Sequence, residues 1–210
     1  MMITDLSDSF FIVAFSAIFT IVNPLGAVGP FLAMTLNDPD SKKELTARRS
    51  SLVACCVLAV CAGVGSFIFQ FFGITMPALK IAGGCLLFLV AMDMINARQS
   101  GTKATAEEEQ EGLQKEDIAI FPLGIPLLSG PGAIVSVFIL VERAKSPLQH
   151  AFVFLAIAVT MFVSYIILRQ ASKLAKIFGH TGINVFSRLM GLILAAIAVQ
   201  FILNGIKDVF

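Results

Sequence analysis

Charge is scarce in this chain. Asp, Glu, Lys and Arg make up 14% of its 210 residues, against about a quarter in soluble domains, so a water-soluble globule of ordinary surface is excluded. The charge present nearly cancels, at +1, and the basic excess that a nucleic-acid partner requires is missing. Histidine occurs only at His150 and His180, both in segments that read as loops. Neither can act as base to a serine inside a membrane, so no enzyme is expected. Cys55, Cys56, Cys61 and Cys85 contain no CxxC pair, so neither a metal nor another cofactor is expected. They read as small packing residues. The start of the chain lacks the basic n-region of a cleavable signal, carrying Asp5 and Asp8 instead, and its first apolar segment is expected to be retained.

What is abundant is apolar sequence: 57% of the residues are hydrophobic and the mean hydropathy is +0.89. Long runs with few charges read as membrane-spanning helices. Six are expected, at Ser9–Leu36, Leu52–Phe72, Ile74–Ile95, Ile118–Val141, Ala151–Leu168 and Ile183–Ile206. Almost nothing remains for a soluble domain, so 1–210 reads as one all-α integral membrane domain with the lipid bilayer as its surroundings. A polar linker at about 98–117, with "AEEEQEG" at its centre, divides repeat 1, about 9–97, from repeat 2, about 118–210. Of the 15 Lys and Arg, four (Lys80, Arg143, Lys145 and Lys207) fall on the side that holds both termini. The rest fall on the other side, which the positive-inside rule puts in the cytoplasm. Both termini are therefore expected outside, and the linker inside.

The two halves resemble each other. "NPLGAV" at 23–28 aligns with "SGPGAI" at 129–134, an offset of 106, and Lys80, Gly83 and Asn96 align with Arg188, Gly191 and Asn204 at 108. Three spans per half is odd, so the second half must enter the membrane inverted, the plan of many secondary transporters. The matching segments are also the ones least able to stay helical. Proline removes an N–H, crowds the carbonyl four residues back and disfavours helical backbone before it. Helices 1 and 4 are therefore expected to be discontinuous, around Asn23, Pro24 and Gly26, and around Ser129, Gly130, Pro131 and Gly132. Asn23 and Ser129 read as caps of the resuming half-helices, whose free N–H groups and positive ends favour an anion such as a carboxylate. Glycine lets a ligand approach the backbone.

Other polar positions carry less. Asp93 is the carboxylate furthest inside a span boundary, and intramembrane acids are candidates for ion coupling, here to H+ or Na+. Ser51, Cys55, Ala59 and Gly63 repeat every four residues in the second span and read as a close-packing stripe. No repeated ring of filter residues suggests a channel.

With these motifs in hand, namely NP-x-G, "KIAGG", "LLSGPGAI" and "TGIN…R-MGL", the chain resembles the MarC (UPF0056) family of membrane proteins along nearly its whole length. Relatives of the SnatA type are associated with small neutral amino acids. The resemblance implies a multi-pass transporter of the bacterial inner membrane for a small zwitterionic solute, working by alternating access. It also implies a substrate site lined by Asn23, Pro24, Gly26, Ser129, Gly130, Pro131 and Gly132. The alternative is an accessory or scaffold membrane protein that transports nothing.

Overall fold

A computed structural model describes residues 2–96 and 118–209. The linker expected at about 98–117 lies outside the described residues. The described residues are helical, without a strand among them: α1 (Met2–Val22), α2 (Val28–Met34), α3 (Asp40–Phe72), α4 (Met76–Ile95), a wider π-helical segment numbered α5 (Ala119–Leu128), α6 (Pro131–Arg143), α7 (Pro147–Arg169) and α8 (Ala171–Lys207).

Local chemistry sets many of the boundaries. Thr75 and Ser146 are extended N-caps whose hydroxyls accept the N–H groups of Ala78 (3.4 Å) and Gln149 (3.3 Å), and each is followed by a proline in the first turn, where the missing N–H costs nothing. Gly73, at φ +65°, turns α3 into α4, and the Ile74 N–H reaches back to the Phe69 carbonyl at 2.9 Å, as glycine-capped helix ends do. Gly179, at φ +63°, interrupts α8; its apolar, span-length part is Val185–Lys207. The two histidines are not in loops: His150 lies in the first turn of α7, its Nδ1 3.0 Å from the Ser146 carbonyl, and His180 lies in the backbone of α8.

Four helical stretches are long and apolar enough to cross a membrane: Asp40–Gly65, Met76–Ile95, Pro147–Arg169 and Val185–Lys207. There are five when α5 and α6, bent by 56° at their junction, are taken as one broken span. The remaining expected span, Ser9–Leu36, is divided between α1 and α2, and its apolar stretch Phe10–Val22 is shorter than the roughly 20 residues a crossing needs. Apolar side chains also cover the outside, with Phe67, Phe71, Phe72 and Leu192 all more than half exposed, as suits lipid surroundings.

The buried core joins all of these helices through residues such as Ile18, Phe31, Leu58, Leu87, Leu123, Val137, Ile157 and Leu194. The α4 and α8 helices run antiparallel and touch closely. A Cβ built at Gly84 would lie 2.7 Å from the Ala198 carbonyl oxygen, one at Gly191 would lie 3.1 Å from that of Ala91, and one at Gly205 would lie 2.9 Å from that of Pro77. The stripe expected on α3 is displaced around the helix. Ala47, Ala54, Leu58 and Ala62 are buried and Gly65 abuts Phe138, whereas Gly63 faces open space. All four cysteines lie in α3 and α4, but Cys56 and Cys85 are exposed and do not pack inside. Lys80 is ion-paired with Asp208, which ties the start of α4 to the end of α8.

Candidate functional site

The first break begins with Asn23. Its N–H still donates to the Phe19 carbonyl at 2.9 Å, one residue past the end of α1. Asn23 then takes φ +50°, a left-handed conformation that asparagine tolerates better than most residues. Its Oδ1 accepts the Gly26 N–H and its carbonyl accepts the Ala27 N–H, both at 3.2 Å. Asn23 thus caps the turn ahead of α2. It does not cap α2 itself, whose flanking residue Ala27 has no side-chain cap. The Asn23 amide is buried, with Nδ2 4.0 Å from the sulfur of Met94 on α4. Gly26 lies beneath this amide, and a Cβ there would fall 2.1 Å from Nδ2. The close approach expected of a ligand is made by the protein's own side chain.

The second break is built differently. Pro122 and Pro126 interrupt the ordinary ladder, and α5 adopts wider bonds, Leu123 N–H to Ile118 carbonyl (3.4 Å) and Ser129 N–H to Gly124 carbonyl (3.1 Å), a winding often found at functional sites. Ser129 does not cap α6. Its hydroxyl points backward to the Gly124 and Ile125 carbonyls, 2.9 Å from each, and closes the end of α5. Pro131 occupies the first helical position and leaves Gly130, at φ −57° and ψ 167°, as the N-cap. Ser129 is one residue too early. Because glycine has no side chain, the N-terminus of α6 is capped only by the Gly130 carbonyl, which accepts from Ala133 (2.9 Å) and Ile134 (3.2 Å). Among the described residues no acceptor meets the Gly132 N–H, one of the donors every helix start leaves over.

The two breaks meet on α4. Met94 touches Asn23, and Leu87 would be 2.8 Å from a Cβ on Gly132. Val90, between them on the same face, lines a cavity of about 10 Å³ with Ile21, Leu127, Gly130 and Gly132. That volume holds about one water molecule. No charged side chain lines it. Leu87, Val90 and Met94 were not among the residues expected here; their i, i+3, i+7 spacing marks a buried helix face but does not say what it faces. Asp93 is half-buried in the last turn of α4, beside Met94 in sequence, and lines neither this cavity nor the larger cleft between α3 and α7. Among the described residues no group of three or more His, Cys, Asp or Glu could hold a metal ion.

The broken, glycine-rich segments at 23–30 and 122–132 belong to a region that a family model describes as a whole. The model of the MarC family integral membrane proteins matches residues 8–210. This chain belongs to the MarC family. It is 39% identical over 198 residues to the UPF0056 membrane protein MJ1677 of Methanocaldococcus jannaschii, covering 94% of this chain and 96% of that one. It is 35% identical over 196 residues to UPF0056 membrane protein YhcE of Escherichia coli, covering 93% and 91%. It is 33% identical over 203 residues to UPF0056 membrane protein YvbG of Bacillus subtilis, covering 96% of both chains. No solved structure matches it. As a MarC protein the chain is a multi-pass integral membrane protein, and its polar, backbone-rich junction lies where such a protein is otherwise apolar.

Proposed function

We propose that this MarC protein is a secondary transporter of small neutral amino acids or similar zwitterionic solutes, as SnatA-type relatives are, and that it works by alternating access. The observation that carries the reading is the convergence of two helix breaks on one buried face of α4. Irregular backbone persists at membrane depth only where it is enclosed or lines a cavity. The unpaired Gly132 N–H and the positive end of α6 offer a carboxylate its partner, with Asn23, Pro24, Gly26, Ser129, Gly130 and Pro131 shaping the two walls. A cavity of about 10 Å³ is too small for any amino acid, so this conformation is the closed one and loading requires the breaks to part from α4.

In this reading the broken pairs α1–α2 and α5–α6 each cross once, giving six spans as two inverted repeats. Two features support it. The packing partners exchange between halves: α1 lies on α7 as α5 lies on α3, and α2 on α8 as α6 on α4. The contact of Gly84 with Ala198 is also mirrored by that of Gly191 with Ala91, both pairs being related by one offset of 107. This offset pairs Gly191 with Gly84, one residue from the Gly83 of the sequence alignment. The setting is the bacterial inner membrane, with both termini outside. Asp93 couples movement to H+ or Na+. No metal or cofactor takes part, no reaction is catalysed, and nucleic acid is not a partner.

A second reading, that of an accessory membrane protein, is favoured by one observation: the space beside Gly26 and Gly132 is filled by Asn23 and Leu87. Proteoliposomes and a panel of labelled amino acids separate the two. Saturable uptake of glycine- or alanine-sized zwitterions, abolished in Gly132→Val, is expected of the transporter. Asp93→Asn should then lose gradient-driven accumulation and keep exchange. Folded protein that moves none of the panel is the accessory protein.

A further inference from the structure

A much larger cleft lies away from the two breaks. It holds about 680 Å³ between α3 and α7, within the roughly 300–1,000 Å³ of small-molecule sites. We propose that it is a site for an anionic phospholipid, with the phosphate on Arg48 and an acyl chain along the α3–α7 groove. Three observations lead there.

The first is the order of the lining. Along α3 the cleft runs from Glu44 and Arg48 through Ser51 to Leu52 and Cys55. The Tyr165 hydroxyl of α7 donates to Glu44 Oε1 at 3.2 Å, which sets the register of the two antiparallel helices. From Tyr165 the α7 lining runs back through Phe162 to Ala158. Both walls therefore pass from polar to apolar in the same direction, as a lipid does from headgroup to chain. A small soluble solute would not need the apolar half, which is open to the side: Leu52 is 54% and Phe162 is 64% exposed.

The second is the state of the polar groups. Arg48 is exposed and makes no ion pair among the described residues. The carboxylate facing it is already engaged, because Glu44 Oε1 also accepts from Arg169 Nε at 3.1 Å. Glu44 is thus neutralised in place and the cleft keeps one unmatched positive charge. The third is Ser51. Its hydroxyl is buried, lines the cleft and has no hydrogen-bond partner, although Ser50, Thr35 and Ser164 all bond a carbonyl of the preceding turn. A phosphate or glycerol oxygen would satisfy it. Basic pockets between membrane helices are a known means of holding anionic headgroups.

The test uses the full chain in detergent, with phosphatidylglycerol and phosphatidylcholine of identical acyl chains titrated and bound lipid counted by native mass spectrometry. Phosphatidylglycerol should bind about fivefold tighter, the worth of one surface arginine to an anionic lipid. Arg48→Gln should remove that preference, and Ala158→Phe, on the open apolar wall, should weaken both lipids. Free glycerol phosphate at the same concentration should not displace the lipid. Equal binding of the two lipids to the wild-type protein, or a preference unchanged in Arg48→Gln, overturns the proposal. So does displacement by glycerol phosphate together with an inert Ala158→Phe, which would make the cleft a soluble-anion site.

Discussion

Asn23 and Gly130 both precede a proline, and they end their helices in different ways. Asn23 turns into left-handed space and uses its side chain to hold the next turn, whereas Gly130 stays extended and offers only its carbonyl. The difference predicts an order of stabilities. Asn23→Gly keeps the backbone at ease and loses one buried hydrogen bond, about 0.5–1.5 kcal/mol. Asn23→Val loses the same bond and adds left-handed strain of roughly 1–2 kcal/mol. Gly26→Ala must push the Asn23 amide aside, an overpacking cost of about 1–3 kcal/mol. Thermal unfolding in detergent should rank Asn23→Gly as milder than Asn23→Val; the reverse order would mean that the conformation at Asn23 is not the one described. At this scale the break positions were legible, since Pro24, Pro126 and Pro131 cannot continue a helical ladder. The direction of the Ser129 hydroxyl was not, because it depends on carbonyls left open by the wider winding of α5.

At the scale of elements, glycine has two different uses on neighbouring helices. Gly84 and Gly191 let α4 and α8 approach until backbone carbonyls lie within contact of a missing Cβ, whereas Gly63 on α3 has nothing within 4 Å. Gly84→Leu or Gly191→Leu should therefore separate α4 from α8 and destabilise the fold by 3 kcal/mol or more, roughly the upper end of overpacking costs. Gly63→Leu should be neutral or slightly stabilising, since leucine is the better helix former by about 0.5–1 kcal/mol. Unfolding midpoints of the three variants check this, and a Gly63→Leu as damaging as Gly84→Leu would refute it. The four-residue repeat from Ser51 to Gly63 predicted one tightly packed stripe on α3, but only its first members pack inside, with Ser51 buried and Cys55 against the core, and Gly63 faces open space. Small size reports only where a neighbour could come close. The burial of Ala47, Ala54, Leu58 and Ala62 was decided by the helices that pack there, α5, α6 and α7.

For the whole molecule, the distribution of Lys and Arg predicts orientation. The basic ends of α3 and α7, with Lys42, Arg48 and Arg169, lie together, since Glu44 bonds both Tyr165 and Arg169. By the positive-inside rule those ends are predicted to face the cytoplasm. A single cysteine at Thr105→Cys, in a background with Cys55, Cys56, Cys61 and Cys85 changed to alanine, should resist an impermeant maleimide in intact cells and react once the membrane is opened. Labelling in intact cells would invert the topology and place both termini in the cytoplasm.

The sequence by itself determined that the chain is helical, that it is a membrane protein of the MarC family, and where its helices break. Helicity, membrane residence and the breaks depend on composition, periodicity or the covalent limits of proline, which act within a few residues. The family is carried by the motifs that the chain shares with its relatives. Tertiary structure alone decided what the breaks face. Met94 lies 71 residues from Asn23 in the chain and 4.0 Å from its amide, and Leu87 fills the space beside Gly132. The antiparallel register that brings Tyr165 to Glu44, and so sets one wall of the α3–α7 cleft against the other, has no local signature either. Such pairings are chosen by the shapes of whole helices packing together, and a reading along the chain meets their members far apart.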